Sequence, residues 1–265
     1  KRAVVGAIVL LLLFYWLFSD HHFCKYSYDE QNMALRNASP SFDHWLGTDK
    51  MGRDIFVRIL FGARISLAVG CLAAVINLIV GTIYGGIAGY VGGKVDMIMM
   101  RVVDIIYSVP SMLYIVLIML IFGASVVSIM LGISITCWID MARIVRQQVK
   151  SLKEQEFTMA AFVLGASSSR ILLKHLLINT MGQIIVTVTL MVPQAIFTEA
   201  WLSFLGVGIS APMASWGTLA QDARELIMTY PMQTVYPMIA ICITIFSFNF
   251  VGEGLEKALD PKRKR

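Results

Sequence analysis

Long uncharged runs, broken by short charged segments, set the rhythm of this chain from its first residues to its last. A helix must offer about 20 mostly apolar residues to cross a bilayer core of about 30 Å. The first run, Ala3 to Phe18, opens with Lys1 and Arg2 and is followed by Ser19-Asp20-His21-His22 rather than a small-residue cleavage site. It therefore reads as a retained anchor helix and not as a signal peptide. No charge interrupts Ile65 to Gly93, which predicts a second span. The uncharged stretch Ile105 to Ile139 holds 35 residues, too many for one crossing; Gly123-Ala124-Ser125 divides it into spans of about 98–122 and 125–143. His175 to Thr198 is the fifth candidate, entering its span near Gly182 and carrying Pro193, and Ile227 to Val251 is the sixth. The pattern predicts an all-α integral membrane protein with six transmembrane helices.

Composition narrows the function. The hydrophobic set makes up 57% of 265 residues, charged residues 15%, and mean hydropathy is +0.73. Soluble domains carry about 25% charged residues, so a soluble enzyme, a nucleic-acid-binding domain and a disordered chain are excluded. The net charge of +5 gains meaning from its placement. Six spans put both termini on one side, which receives fifteen Lys and Arg, from Lys1 and Arg2 to the Lys262-Arg263-Lys264-Arg265 tail. The other side receives seven: Lys25, Arg36, Lys50, Arg53, Arg58, Arg64 and Arg224. The positive-inside rule then assigns both termini to the cytoplasm. The chain divides into an anchor helix (1–18), an extracytoplasmic segment (19–64), a membrane core (65–252) with a large inner loop at about 141–180, and a basic tail (253–265). That tail suits anionic headgroups or a protein and needs no nucleic acid.

Several chemistries fail on spacing. Gly92-Gly93-Lys94 is followed by Val95, where a phosphate-binding loop needs Ser or Thr, and Ala88 takes the place of its first glycine. ATP and magnesium are thus not expected on this chain. His21, His22 and Cys24 lack a second ligand cluster, so no metal site is assigned. Cys24, Cys71, Cys137 and Cys242 form no CxxC pair and read as isolated thiols, most of them buried in apolar runs. Ser167, Ser168 and Ser169 lie among basic residues, where capping explains them better than nucleophilic catalysis. Arg101 with Asp104, and Asp140 with Arg143, have the spacing to pair on one helix face, which leaves no unpaired mid-span carboxylate for a proton-driven secondary transporter.

The inner loop reads Ser151-Leu-Lys-Glu-Gln-Glu-Phe-Thr-Met-Ala-Ala-Phe-Val-Leu-Gly165, then Ala-Ser-Ser-Ser-Arg-Ile-Leu-Leu-Lys-His175-Leu-Leu-Ile-Asn179. Its first part forms a helix with Phe157, Ala160, Ala161 and Leu164 on one face, ended by Gly165-Ala166 in a left-handed turn. Ser167 or Ser168 caps a second helix. Such a helix–turn–helix is a docking element or an amphipathic hairpin lying on lipid; periodicity alone leaves both open. This loop resembles the signature of the permeases of binding-protein-dependent ABC importers, Glu-Ala-Ala, three residues, Gly, nine residues, Ile-x-Leu-Pro. Ala160, Ala161, Gly165 and Leu177 match it, whereas Met159, His175 and Ile178 depart from it. Glu156-Phe157 and His175 with Asn179 are similar to the dipeptide/oligopeptide/nickel branch, as are His44 to Asp49, Gly52-Arg53-Asp54, Gly89 to Gly93, Glu199 to Gly206, Trp216-Gly217 and Leu259-Asp260-Pro261.

The resemblance covers residues 27–263, is nearest to the oligopeptide C-type permeases, and implies a type I importer permease with a methionine-importer-like core plus the anchor helix. It implies a bacterial cytoplasmic membrane location, a homologous sister permease, two cytoplasmic ATPase subunits that hold ATP and magnesium, and an extracytoplasmic peptide-binding protein. The chain itself is then not an enzyme. Glu156, Phe157, Ala160, Ala161, Gly165 and Ala166 would form the contact with an ATPase. Trp201, Phe204, Gly206, Pro212 and Trp216 mark a re-entrant element or outer gate, or an interfacial loop anchored by its tryptophans. Asp49, Arg53 and Asp54 either receive the binding protein or pair locally. The expected cargo is an oligopeptide or dipeptide, with nickel or another small solute as the alternative.

Overall fold

The computed structural model describes residues 2–18, 25–209 and 213–259, with side chains omitted at 16–18. Within these residues the chain is helical, and extended pairing is confined to an isolated bridge between Thr48 and Asp54. Helix α1 (Arg2–Phe18) lies along α12 (Pro231–Leu259). Helices α2 (Ile55–Ile76) and α3 (Thr82–Val91) are joined by a π-helical turn at Asn77–Gly81 into one helix of 37 residues. α4 (Gly93–Ser108) and α5 (Ser111–Phe122) meet at a 75° bend. α6 (Val126–Thr136) runs into α7 (Trp138–Lys153), giving 28 continuous residues. α8 (Glu156–Val163) is a short elbow. α9 (Ser168–Arg170), a π-helical stretch at Ile171–Leu176 and α10 (Leu177–Phe204) make a second helix of 37 residues. α11 (Trp216–Ala223) precedes α12.

Four helices are long and apolar enough to cross a membrane, five if the bent pair counts as one span, and α1 is a shorter apolar helix. Several boundaries differ from those expected from the sequence. The second span starts at Ile55, ten residues before Ile65, because Asp54 caps it by accepting from the Val57 N–H at 2.8 Å. Arg58, ruled out of a span by its charge, is buried inside that helix with acidic partners. The third span is not straight. Pro110 has no N–H to donate and holds Val109 extended, so the helix stops and restarts. The inner loop is mostly helix as well, since α7 runs on to Lys153 and α10's helix begins at Ser168. The absence of proline at Ile178 lets the backbone ladder pass without a break. Ser167 starts that helix through its backbone, without a side-chain cap.

Close approach of α3 and α7 holds the bundle together. Gly81, Gly85 and Gly89 form a stripe at four-residue spacing. A Cβ at Gly81 would lie 2.6 Å from the Met141 Cβ, and one at Gly89 2.6 Å from the Arg146 carbonyl oxygen. At Gly85 the added carbon would overlap the Ala142 carbonyl oxygen. Small residues let backbones touch where lipid offers no hydrophobic drive between helices. Arg146 then reaches Asp96 on α4, with Nη2 to Oδ2 at 2.6 Å, and Arg143 reaches Asp104 at 3.1 Å while its guanidinium lies 4.4 Å from the Tyr107 ring centroid. These pairs cross between helices, in place of the expected Arg101–Asp104 and Asp140–Arg143 pairs along one face. Cys71 and Cys137 are half-buried, but Cys242 is exposed, because the apolar stretch of α12 is only 28% buried.

Gly85→Ala is expected to force α3 from α7 by overpacking backbone, costing at least about 1–3 kcal/mol. Thermal denaturation of the detergent-purified chain measures this; Gly86→Ala, with its nearest neighbour at 3.5 Å, is the control and should leave the midpoint unchanged.

Candidate functional site

Residues 154–167 leave the two long helices and form the elbow at one end of the bundle. Thr158 is buried there and seats α8 on α7, its hydroxyl donating to the Leu152 carbonyl at 2.8 Å and its N–H to Gln155 at 3.0 Å. The elbow closes on Gly165, at φ +80°, a conformation glycine adopts without penalty. Gly165 N–H donates to the Phe162 carbonyl and Ala166 N–H to the Ala161 carbonyl, both at 3.0 Å, which satisfies the helix end as in a Schellman turn. Ala161 and Ala166 pack inward against the cluster of Met141, Val145, Val149, Ile171 and Leu176. The face left outside carries Phe157 at 41% exposure, Phe162 at 72%, Val163 at 83% and Leu164 at 86%, with Glu156, Ala160 and Gly165 also exposed. The small-residue face expected from the sequence is therefore divided: Ala160 and Gly165 point outward, whereas Ala161 and Ala166 support the elbow from within.

At the opposite end, residues 25–54 fold over the bundle. Asp49 receives Arg53 Nε at 2.7 Å and Arg58 Nη1 at 2.6 Å, and both arginines reach Asp222 on α11, at 3.3 and 3.4 Å. His44 Nδ1 lies 2.8 Å from Asp54 Oδ2. Asp49, Arg53 and Asp54 are buried and paired within the chain, so their local role is the one realised. Burial alone would raise the Asp49 carboxyl; the Arg53 N–H, the charges of Arg58 and Arg53 and the Met51 N–H outweigh it and hold it below the usual carboxylate range. Gln233 on α12 ties down the same segment by donating to Asn37 Oδ1 at 3.1 Å and to the Thr48 carbonyl at 3.0 Å.

Beneath this cap, Glu199 on α10 is fully buried and accepts from Ser66 on α2 at 3.1 Å and from Ser203 at 2.8 Å, with the Ser215 hydroxyl as a further partner. Ser215 caps α11 in a reciprocal box with Thr218. Trp216, 1% exposed, donates its indole N–H to the Ile59 carbonyl at 3.0 Å. Trp216 is thus a core residue and not an interfacial anchor. Trp201 is half exposed and stacks near Phe204, with centroids 6.4 Å apart, and Gly206, at φ +88°, ends α10. Pro212 lies outside the described residues. So do His21, His22 and Cys24; among the described residues no group of three or more His, Cys, Asp or Glu is placed to hold a metal. Sequence reasoning missed Glu199 as the junction of three helices, because only Ser203 lies one turn away on α10, whereas Ser66 stands 133 residues before it and Ser215 in the loop that follows α10.

A family model described as the binding-protein-dependent transport system inner membrane component matches residues 81–265, from the π-helical turn through the C-terminus. The chain belongs to this family. As one of its permeases it is a multi-pass inner-membrane component, and the match includes the elbow, Glu199 and α11. The oligopeptide transport system permease protein OppC of Bacillus subtilis is 49% identical over 265 residues, spanning all of this chain and 87% of that protein. The dipeptide transport system permease protein DppC of the same organism is 46% identical, covering 100% of this chain and 83% of its own length. OppC of Escherichia coli K12 is 41% identical over 99% of this chain and 87% of its own.

Two outcomes follow from these contacts. A depressed folded-state pKa stabilises above the unfolded carboxylate value of about 3.9 and loses that contribution as pH falls through the folded value. Amide protection of residues 25–54, corrected for intrinsic exchange, is therefore expected to fall below about pH 4, and in Asp49→Asn it should be low already at neutral pH. Glu199→Ala should cost about 1–3 kcal/mol by orphaning three hydroxyls. Trp216 quenching by acrylamide should rise in that variant and much less in Glu199→Gln.

Proposed function

We propose that this permease is one of two related membrane subunits of an ATP-driven importer for oligopeptides or dipeptides in a bacterial cytoplasmic membrane. The observation that carries the reading is the elbow: α8, seated through Thr158, exposes Phe157, Phe162, Val163 and Leu164, which no surface among the described residues covers. Apolar residues held in water at a helix end are an interface waiting for a protein. The relatives named for oligopeptide and dipeptide transport supply the cargo class. The distribution of Lys and Arg supports a cytoplasmic elbow and cytoplasmic termini, where two ATPase subunits would engage one elbow from each permease. ATP and magnesium belong to those subunits.

The coupling contact comprises Glu156, Phe157, Ala160 and Gly165, with Ala161 and Ala166 setting the elbow's seat. Movement of α8 is transmitted directly, since α7 and the 37-residue helix through α10 continue from it into the membrane. At the other face, Trp201, Phe204 and Gly206 at the end of α10, which packs against α11 and its buried Trp216, would gate the path, beneath a cap on which an external peptide-binding protein would dock. A related sister permease completes the path.

Gly165→Asp tests this in proteoliposomes holding the complete transporter. Nothing in this chain lies within 4 Å of an added Cβ at that position, so a loss reports on the partner as well as on the turn. Uptake of trialanine should fall by more than about tenfold, as a charge placed in an apolar contact costs over ~1.4 kcal/mol, while the chain still inserts. Wild-type transport-coupled ATP turnover in this variant would overturn the assignment.

A further inference from the structure

A cavity of about 470 Å³ opens between the end of α2, the α6–α7 junction, α10 and the broken α4–α5 helix. Non-helical backbone at membrane depth is tolerated where it lines such a space, and residues 108–111 form one wall. Among the described residues, the Asn77 amide oxygen and the Gln194 and Asp140 side chains on the other walls have no bonding partner, although the Asn77 amide nitrogen donates to the Met191 sulfur. Asn77 is 1% exposed, sits at the first position of the π-helical turn and leaves its amide oxygen unsatisfied. Gln194 is exposed on α10, and among the described residues its amide makes no hydrogen bond. Asp140 is exposed in the first turn of α7, at the α6–α7 junction, and so lies near the middle of the continuous 28-residue helix that α6 and α7 form. Arg143, its expected partner, is held by Asp104 and Tyr107 instead.

Asp140 is the single carboxylate or cationic side chain among the described residues lining the cavity. An unneutralised carboxylate at that depth calls for a cation from elsewhere. The neighbouring amides add what a peptide main chain needs: Asn77 Oδ1 accepts an N–H, and the Gln194 NH2 donates to a carbonyl. We infer that Asp140 binds the α-ammonium of a peptide in transit, with Asn77 and Gln194 reading the first peptide units. This rests on the peptide reading above. It makes a free amino terminus a requirement of the permease itself, and it is indifferent to side chains, which suits varied sequences.

The test is photolabelling of the complete transporter in nanodiscs, without binding protein, by Ala–benzoylphenylalanine–Ala and by its N-acetyl form. The free-amine peptide should label this chain about tenfold more than the acetylated one, the weight of a charge-assisted hydrogen bond. Asp140→Asn should remove the preference and Asp140→Glu should keep it, whereas a merely structural Asp140 would change both peptides alike. Equal labelling by the two peptides in the wild type, or a preserved preference in Asp140→Asn, overturns the inference. Trialanine uptake by the wild-type transporter is measured beside it. Its absence would overturn the peptide reading, whereas uptake with equal labelling would overturn the role of Asp140 alone.

Discussion

The contact of α3 with α7, backbone against backbone along Gly81, Gly85 and Gly89, is the constraint on which the rest of the molecule depends. In lipid no hydrophobic gain draws one apolar helix to another, so association rests on close packing and on polar contacts that packing brings within reach. Here the glycine stripe places α7 near enough to α4 for Arg146 to meet Asp96 and Arg143 to meet Asp104. The same seam determines where α7 ends, and hence where the elbow stands. It also sets the face on which Asp140 looks into the cavity.

Charge is used differently at the two ends. In the cap, Asp49 and Asp222 pair with Lys50, Arg53 and Arg58; Asp49 and the two arginines are buried, whereas Lys50 and Asp222 reach water. Such a network stabilises little beyond its desolvation cost, but removing one member leaves others buried and unpaired. It is better suited to fixing one arrangement of residues 25–54, α2 and α11 than to adding net stability. Glu199 continues the same logic below with neutral hydroxyl partners. At the elbow the reverse holds: apolar side chains are exposed and the helix end is satisfied by its own backbone, the arrangement that the proposed ATPase contact would use.

Much of this was legible in the primary structure. Uncharged runs marked the helices, Gly123 and Ser125 marked a turn, and the spacing of Ala160, Ala161 and Gly165 marked the elbow. The failures share one cause. Charge was taken as a boundary, yet Arg58 is buried in α2 because Asp49 and Asp222 are brought to it, the latter across 164 residues. Arg143 and Asp140 had helix spacing to pair, but Asp104 on another helix competes successfully for the arginine. Which of Ala160 and Ala161 faces outward depended on how Thr158 seats α8, and a helical wheel does not contain that information.

By itself the sequence determined the class of protein, the order of its apolar segments, the uneven placement of Lys and Arg, and the family. These depend on composition and on short-range spacing, which the bilayer and the helix period read directly. Only the tertiary structure decided which ionisable groups are neutralised and which remain open, because pairing is a matter of distance between residues far apart in the chain. That is why Asp140 passed as half of a local ion pair until Asp104, reaching over from α4, took its arginine away.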